Sequence, residues 1–134
     1  RDAAIALLDT RADEFSNLLA ALPDRHLVEA REPWGDDWAG AQLWEAVRAL
    51  PGMGTTVTSK LLARKRPLLH PITDSVVEEA TGATDLWPEL RLLLQETPDL
   101  HARLTGLRAE AKLSDHVSPL RVFVVVTWME GKGY

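Results

Sequence analysis

Residues 50–77 read LPGMGTTVTSKLLARKRPLLHPITDSVV, and this stretch decides the fold. Just before it, Gln42 to Leu50 (QLWEAVRAL) sets Leu43, Ala46, Val47 and Leu50 at the spacing of a helix face, and Pro51-Gly52-Met53-Gly54 stops that helix. Thr55 to Ala63 then returns to helical spacing with Val57, Leu61 and Leu62 apolar. The stretch predicts two helices joined by a Gly-x-Gly hairpin, at about residues 42–64. Two glycines in so tight a connection allow positive φ and remove the Cβ atoms that would hold another backbone away. The first amides of the second helix lack intrahelical partners and sit at its positive dipole end, so a phosphate suits that position. Gly52, Met53, Gly54, Thr55 and Thr56 would make the contact, and the cations Lys60, Arg64, Lys65 and Arg66 follow directly.

Leu50-Pro51-Gly52-Met53-Gly54 resembles the helix-hairpin-helix of base-excision DNA glycosylases, whose hairpin reads roughly L-P-G-h-G-x-x-T-A. In that superfamily a catalytic aspartate follows the hairpin after an apolar segment, in a pattern like h-D-x-h-V. Ile72-Thr73-Asp74-Ser75-Val76-Val77 occupies that place, with Asp74 twenty residues after Gly54. The resemblance implies duplex DNA as partner, a grip on its phosphates through the hairpin and the Lys60 to Arg66 cluster, and Asp74 as the catalytic carboxylate. It also implies a nucleophilic lysine two residues after the second hairpin glycine in the lyase-capable members. That position is Thr56, so hydrolysis by water is expected rather than a Schiff base. A second resemblance covers more of the chain. The run Lys60 to Pro67 (KLLARKRP) and the closing Leu120 to Met129 (LRVFVVVTWM) are similar to an actinobacterial family of uncharacterised domains with no known activity.

Asp74 has two open roles. A carboxylate near C1′ stabilises the positive charge that develops on the sugar as a glycosidic bond breaks, and it can orient a water. Aspartate at a helix start is equally favoured by capping and by the dipole. The hairpin has the same duality of use, because helix-hairpin-helix elements also serve as sequence-independent DNA grips or interaction modules with no active site.

With 134 residues, 46% of them apolar, the chain is expected to form one all-α domain over 1–134. The absence of cysteine excludes disulfides, thiolate zinc sites and a cysteine-held iron–sulfur cluster, so no cofactor is expected. His26, His70, His101 and His116 are scattered without metal-ligand spacing. No third glycine stands at Val57 for a dinucleotide fingerprint, no Gly-Lys-Thr/Ser follows for a P-loop, and no Gly-x-Ser-x-Gly elbow exists. No apolar run reaches membrane-span length and no signal peptide is visible, so a cytoplasmic location is expected. The chain starts at Arg1 rather than Met, as a fragment or processed chain would.

The net charge of −5 argues against a nucleic-acid binder over its whole surface. From Leu43 to His70 five cations face Glu45 alone, a local +4 that leaves −9 for the rest. These cations either meet phosphates or satisfy a helix C-terminus.

In chain order, Asp2 to Leu22 carries Ile5, Leu8, Ala12, Phe15, Leu19 and Leu22 at three- and four-residue steps, one amphipathic helix stopped by Pro23. Asp24 to Gly40 is polar and reads as a mobile or binding loop holding Trp34 and Trp38, which can stack on an unpaired base or, more commonly, pack over the core edge. Asp36 or Asp37 is expected to cap the helix that carries Trp38 and Leu43. Pro67 and Pro71 impose an extended connection, and Thr73 or Asp74 caps a short helix ending near Gly82. Helices open at Thr84-Asp85, with Leu86, Leu90, Leu93 and Leu94 inward, and at Thr97-Pro98, with Leu100, Leu104, Leu107 and Ala111 inward. Ser118-Pro119 opens a last helix through the β-branched run Val122 to Val126, closed at Gly131.

Overall fold

The computed structural model describes residues 1–134, and all its regular structure is helical. α1 (Asp2–Ile5) runs into a π turn (Ala6–Thr10), then α2 (Ala12–Ala20), a 3-10 turn (Leu27–Glu29), α3 (Ala39–Arg48), α4 (Thr55–Lys65), α5 (Ser75–Thr81), α6 (Leu86–Glu96), α7 (Pro98–Glu110) and α8 (Pro119–Lys132). The all-α expectation holds, and no helix is long and apolar enough to cross a membrane. The chain forms two units, Arg1–Pro23 with Glu32–Thr58 and Asp24–Arg31 with Ser59–Tyr134.

In the first unit the single helix expected from Asp2 to Leu22 is broken. Arg11 N donates to Ala6 O at 2.9 Å, a bond across five residues, and Arg11 itself leaves helical geometry at φ −125° and ψ 18°. The widened turn changes which residues face inward, so Leu8 is 82% exposed while Phe15 and Leu22 are buried. Arg11 pairs with Glu14 at 2.7 Å, and its guanidinium lies over the Phe15 ring at 4.9 Å from the centroid. α2 packs on α3. The start of α3 differs from expectation too: Trp38 is its N-cap, with no side-chain capping bond from either aspartate.

In the second unit the segment Asp24–Arg31 is stitched down rather than loose. Asp24 Oδ1 accepts from Leu68 N at 3.0 Å, Leu27 N donates to Leu68 O at 3.0 Å, and Gln95 Nε2 donates to Ala30 O at 3.0 Å. Leu27 and Ala30 are buried as a result. The polar composition of 24–40 concealed this, because the bonds that hold the segment go to its backbone and to one aspartate.

α6 buries Leu86, Trp87, Leu90 and Leu94, but Leu93 is exposed; in α7 Leu104 is buried and Leu107 is exposed. α8 contacts both α5 and α7, which explains why Leu120, Val122 and Val124 are all buried although they alternate as a strand would. A helix covered on two sides carries no single apolar stripe. Ser118 Oγ accepts from Arg121 N at 3.1 Å and caps it. α8 passes through Gly131 and ends at Gly133, whose φ of 80° is left-handed. Gly131 therefore has a different task from the expected stop. A Cβ there would lie 2.8 Å from Val76 Cγ1 and 3.3 Å from Val76 O, so the missing side chain lets α5 and α8 come close.

Candidate functional site

The hairpin follows from turn chemistry. Met53 N donates to Leu50 O at 3.1 Å, closing a turn with Pro51 at its second position and Gly52, φ 79°, at its third. That φ demands glycine at 52. Gly54 has no such φ, and a Cβ there would meet nothing within 4 Å, so the fold itself leaves its surface open. Arg48 Nη1 donates to Met53 O at 2.8 Å and fixes the turn; the sequence reading missed this residue, whose only signal was a basic side chain in the last turn of α3. Thr58 N donates to Gly54 O at 3.0 Å, so α4 begins immediately after the second glycine. Thr55 and Thr56, half-buried, supply its first turn.

The structure puts Trp34 and Trp38 against each other, stacked at 4.5 Å with 10° between the rings. The Trp38 ring also covers Gly40, where a Cβ would fall 2.4 Å from it. Both tryptophans are half-buried, and their rings pack on each other.

In the second unit, α4 buries a polar residue, Ser59, beside the apolar Leu62 and Ala63. Ser59 is buried and clasps Thr73 twice, donating to its carbonyl at 3.2 Å and accepting from its N–H at 3.0 Å. A serine on a helix ordinarily reads as surface, so spacing alone concealed this bond pair. The clasp fixes the backbone just before Asp74. Asp74 is half-buried, and its Oδ1 accepts from Val77 N at 2.9 Å as the N-cap of α5. The capping role is thus filled, and the hairpin belongs to the first unit while Asp74 belongs to the second.

Of the basic cluster, Lys60, Arg64 and Lys65 are exposed; Arg66 is half-buried and donates from Nη1 to Lys65 O at 2.6 Å. Lys60 and Arg64, one turn apart, line a cleft of about 440 Å³ wholly within the second unit. Its apolar wall includes Ala63, Pro67, Pro71 and Ile72. Across from these, the approach to α8 contributes His116, Val117, Ser118 and Arg121. No carboxylate lines the cleft, and Asp74 is not among its walls. His70, also lining it, is 3% exposed, and burial pushes its pKa down to about 4, so it is neutral at pH 7. Its Nδ1 donates to Pro71 O at 2.8 Å, and its ring sits 4.0 Å from Trp87, whose Nε1 donates to Leu69 O at 2.8 Å. His116 and Arg121 were not singled out from the sequence as a site, since only the fold brings residues 116–121 to residues 60–72.

No group of His, Cys, Asp and Glu is arranged to hold a metal ion. No curated protein and no solved structure matches the chain. Residues 1–131 match a family model, DUF6308, described as a family of unknown function, and the chain belongs to that family.

Proposed function

We propose that this protein grips duplex DNA by its phosphate backbone through the Gly52 to Gly54 hairpin and the start of α4, without reading sequence. The observation that carries this reading is the pair of glycines with different reasons to be there. Gly52 is required by its φ of 79°, whereas Gly54 meets no steric demand from the protein itself. A glycine that the fold does not need, at the N-terminus of an eleven-residue helix, suits the close approach of a phosphate to backbone amides. Lys60, Arg64, Lys65 and Arg66 on and after the same helix would add electrostatic affinity.

A labelled duplex followed by fluorescence anisotropy tests it. Binding should weaken as salt rises, and Gly54→Val should cost roughly tenfold in affinity, about 1.4 kcal/mol, while the circular dichroism stays helical. Unchanged affinity in Gly54→Val, or no binding even at low salt, removes the DNA reading.

A hydrolytic, glycosylase-like activity through Asp74 is the second reading. It is favoured by the half-exposed carboxylate, whose hydrogen bond to Val77 engages Oδ1. Asp74→Asn separates it from capping, because asparagine caps a helix about as well as aspartate and stability should shift by only a few tenths of a kcal/mol. Incubation with duplexes carrying damaged or modified bases should give abasic sites with the wild-type chain and none with Asp74→Asn. Equal yields from both proteins would take the carboxylate out of the chemistry.

A further inference from the structure

We propose that the cleft between α4 and the start of α8 binds a small organic phosphate of about mononucleotide size, with Lys60, Arg64 and Arg121 around the phosphate and Pro71, Ile72 and Val117 against its apolar body. This site is separate from the hairpin. Its volume of about 440 Å³ fits one such molecule, and pockets for small molecules combine apolar walls with a few convergent polar groups in this way.

The charge pattern selects an anion. Three cations from two helices line one concavity that no carboxylate lines, in a chain whose net charge is −5. A concave, partly apolar wall focuses their field, so they attract an anion more strongly than the same charges spread over a flat surface. α8 is fourteen residues long and its N-terminal turn, capped by Ser118, adds the positive end of its dipole. Arg121 lies in that first turn, and His116 lines the cleft just before the helix. The neutral, buried His70 contributes shape and polarity to the wall but no charge.

A dianionic phosphate monoester on a compact body matches all of these. The same chemistry belongs to a free nucleotide and to the 5′-phosphorylated end of a nucleic acid. Isothermal titration of the full chain with AMP, adenosine, inorganic phosphate and a 5′-phosphorylated oligonucleotide tells them apart. AMP should bind saturably, and adenosine and inorganic phosphate should each bind at least about tenfold more weakly. Arg121→Gln should weaken AMP by at least about tenfold, and Gly54→Val should leave AMP binding unchanged, which separates this site from the hairpin. Tighter binding of the phosphorylated oligonucleotide than of AMP, lost in Arg121→Gln, would support the site with a nucleic-acid end as its ligand. No saturable binding of AMP or of the oligonucleotide at millimolar concentration, or equal binding to Arg121→Gln, overturns the site. AMP binding no tighter than inorganic phosphate overturns the apolar half of it.

Discussion

Gly131→Leu should lower the unfolding free energy by about 2 kcal/mol, the ordinary cost of forcing extra atoms into a packed contact. For a chain of this length that corresponds to a fall in Tm of roughly 5–10 °C. The contact leaves no slack: a Cβ at 131 would already stand 2.8 Å from Val76 Cγ1 and 3.3 Å from both Val76 O and Ala80 Cβ. Val76 is β-branched and stiff at χ1, and its carbonyl belongs to the α5 backbone, so neither can step aside cheaply. The sign is notable, since a glycine inside a helix normally costs about 1 kcal/mol relative to alanine and its removal normally helps. Gly106 in the middle of α7 provides the contrast. A Cβ there meets nothing within 4 Å, so Gly106→Leu should stabilise the protein by several tenths of a kcal/mol. Urea denaturation of the two variants beside the parent chain measures both, and a Gly131→Leu midpoint at or above the parental one would mean that α5 and α8 do not touch through this residue.

Acidification should remove about 3 kcal/mol of stability through His70 alone, because its folded pKa is about 4 against 6.5 when unfolded and each unit is worth about 1.4 kcal/mol. Burial is the dominant cause, since it penalises the charged imidazolium, while the bond to Pro71 O works weakly in the opposite direction. The sign follows from proton counting. Between the two values the unfolded chain binds a proton that the folded chain excludes, so stability is complete above about 6.5, declines as pH falls, and levels off below about 4. Carboxylates titrate at the lower end of the same range, so the contribution is isolated as the difference between the parent chain and His70→Gln. That difference should narrow steadily from pH 7 to pH 4. Direct NMR titration of the ring provides an independent reading. A midpoint at or above 6.5 would mean that the imidazole is solvated and not enclosed between Pro71 and Trp87.

What the sequence disclosed is what depends on neighbours in the chain. Pro51 and Gly52 sit in the two middle places of their turn, Asp74 and Ser118 accept from amides three residues on, and Gly82 takes the left-handed φ that ends α5. Each of these needs only residues within a few positions. The break at Arg11 stayed hidden because a π turn preserves the three- and four-residue apolar rhythm while rotating the face it marks. Gly131 looked like a stop signal because nothing in its own helix announces Val76 on another. The docking of Asp24–Arg31 depends on Leu68 and Gln95, and the cationic cleft on bringing residues 116–121 beside residues 60–72. Such placements are decided by the tertiary fold, and no local pattern encodes them.

The Ser59–Thr73 clasp also bears on the order in which the second unit assembles. It joins residues 14 apart, and the Trp87–Leu69 bond joins residues 18 apart, whereas Asp24 meets Leu68 across 44 positions and Gln95 meets Ala30 across 65. Closing a longer loop costs more entropy before any contact rewards it, so short closures come first unless something else intervenes. α4, the turn at Pro67–Leu69 that closes back on Arg66, and α5 thus form a natural nucleus, with the Asp24–Arg31 segment laid on afterwards as a strap. Φ-values from Ser59→Ala should then exceed those from Asp24→Ala, and the reverse order would assign nucleation to the strap. Destabilising the clasp would slow folding, while loosening the strap would mainly hasten unfolding.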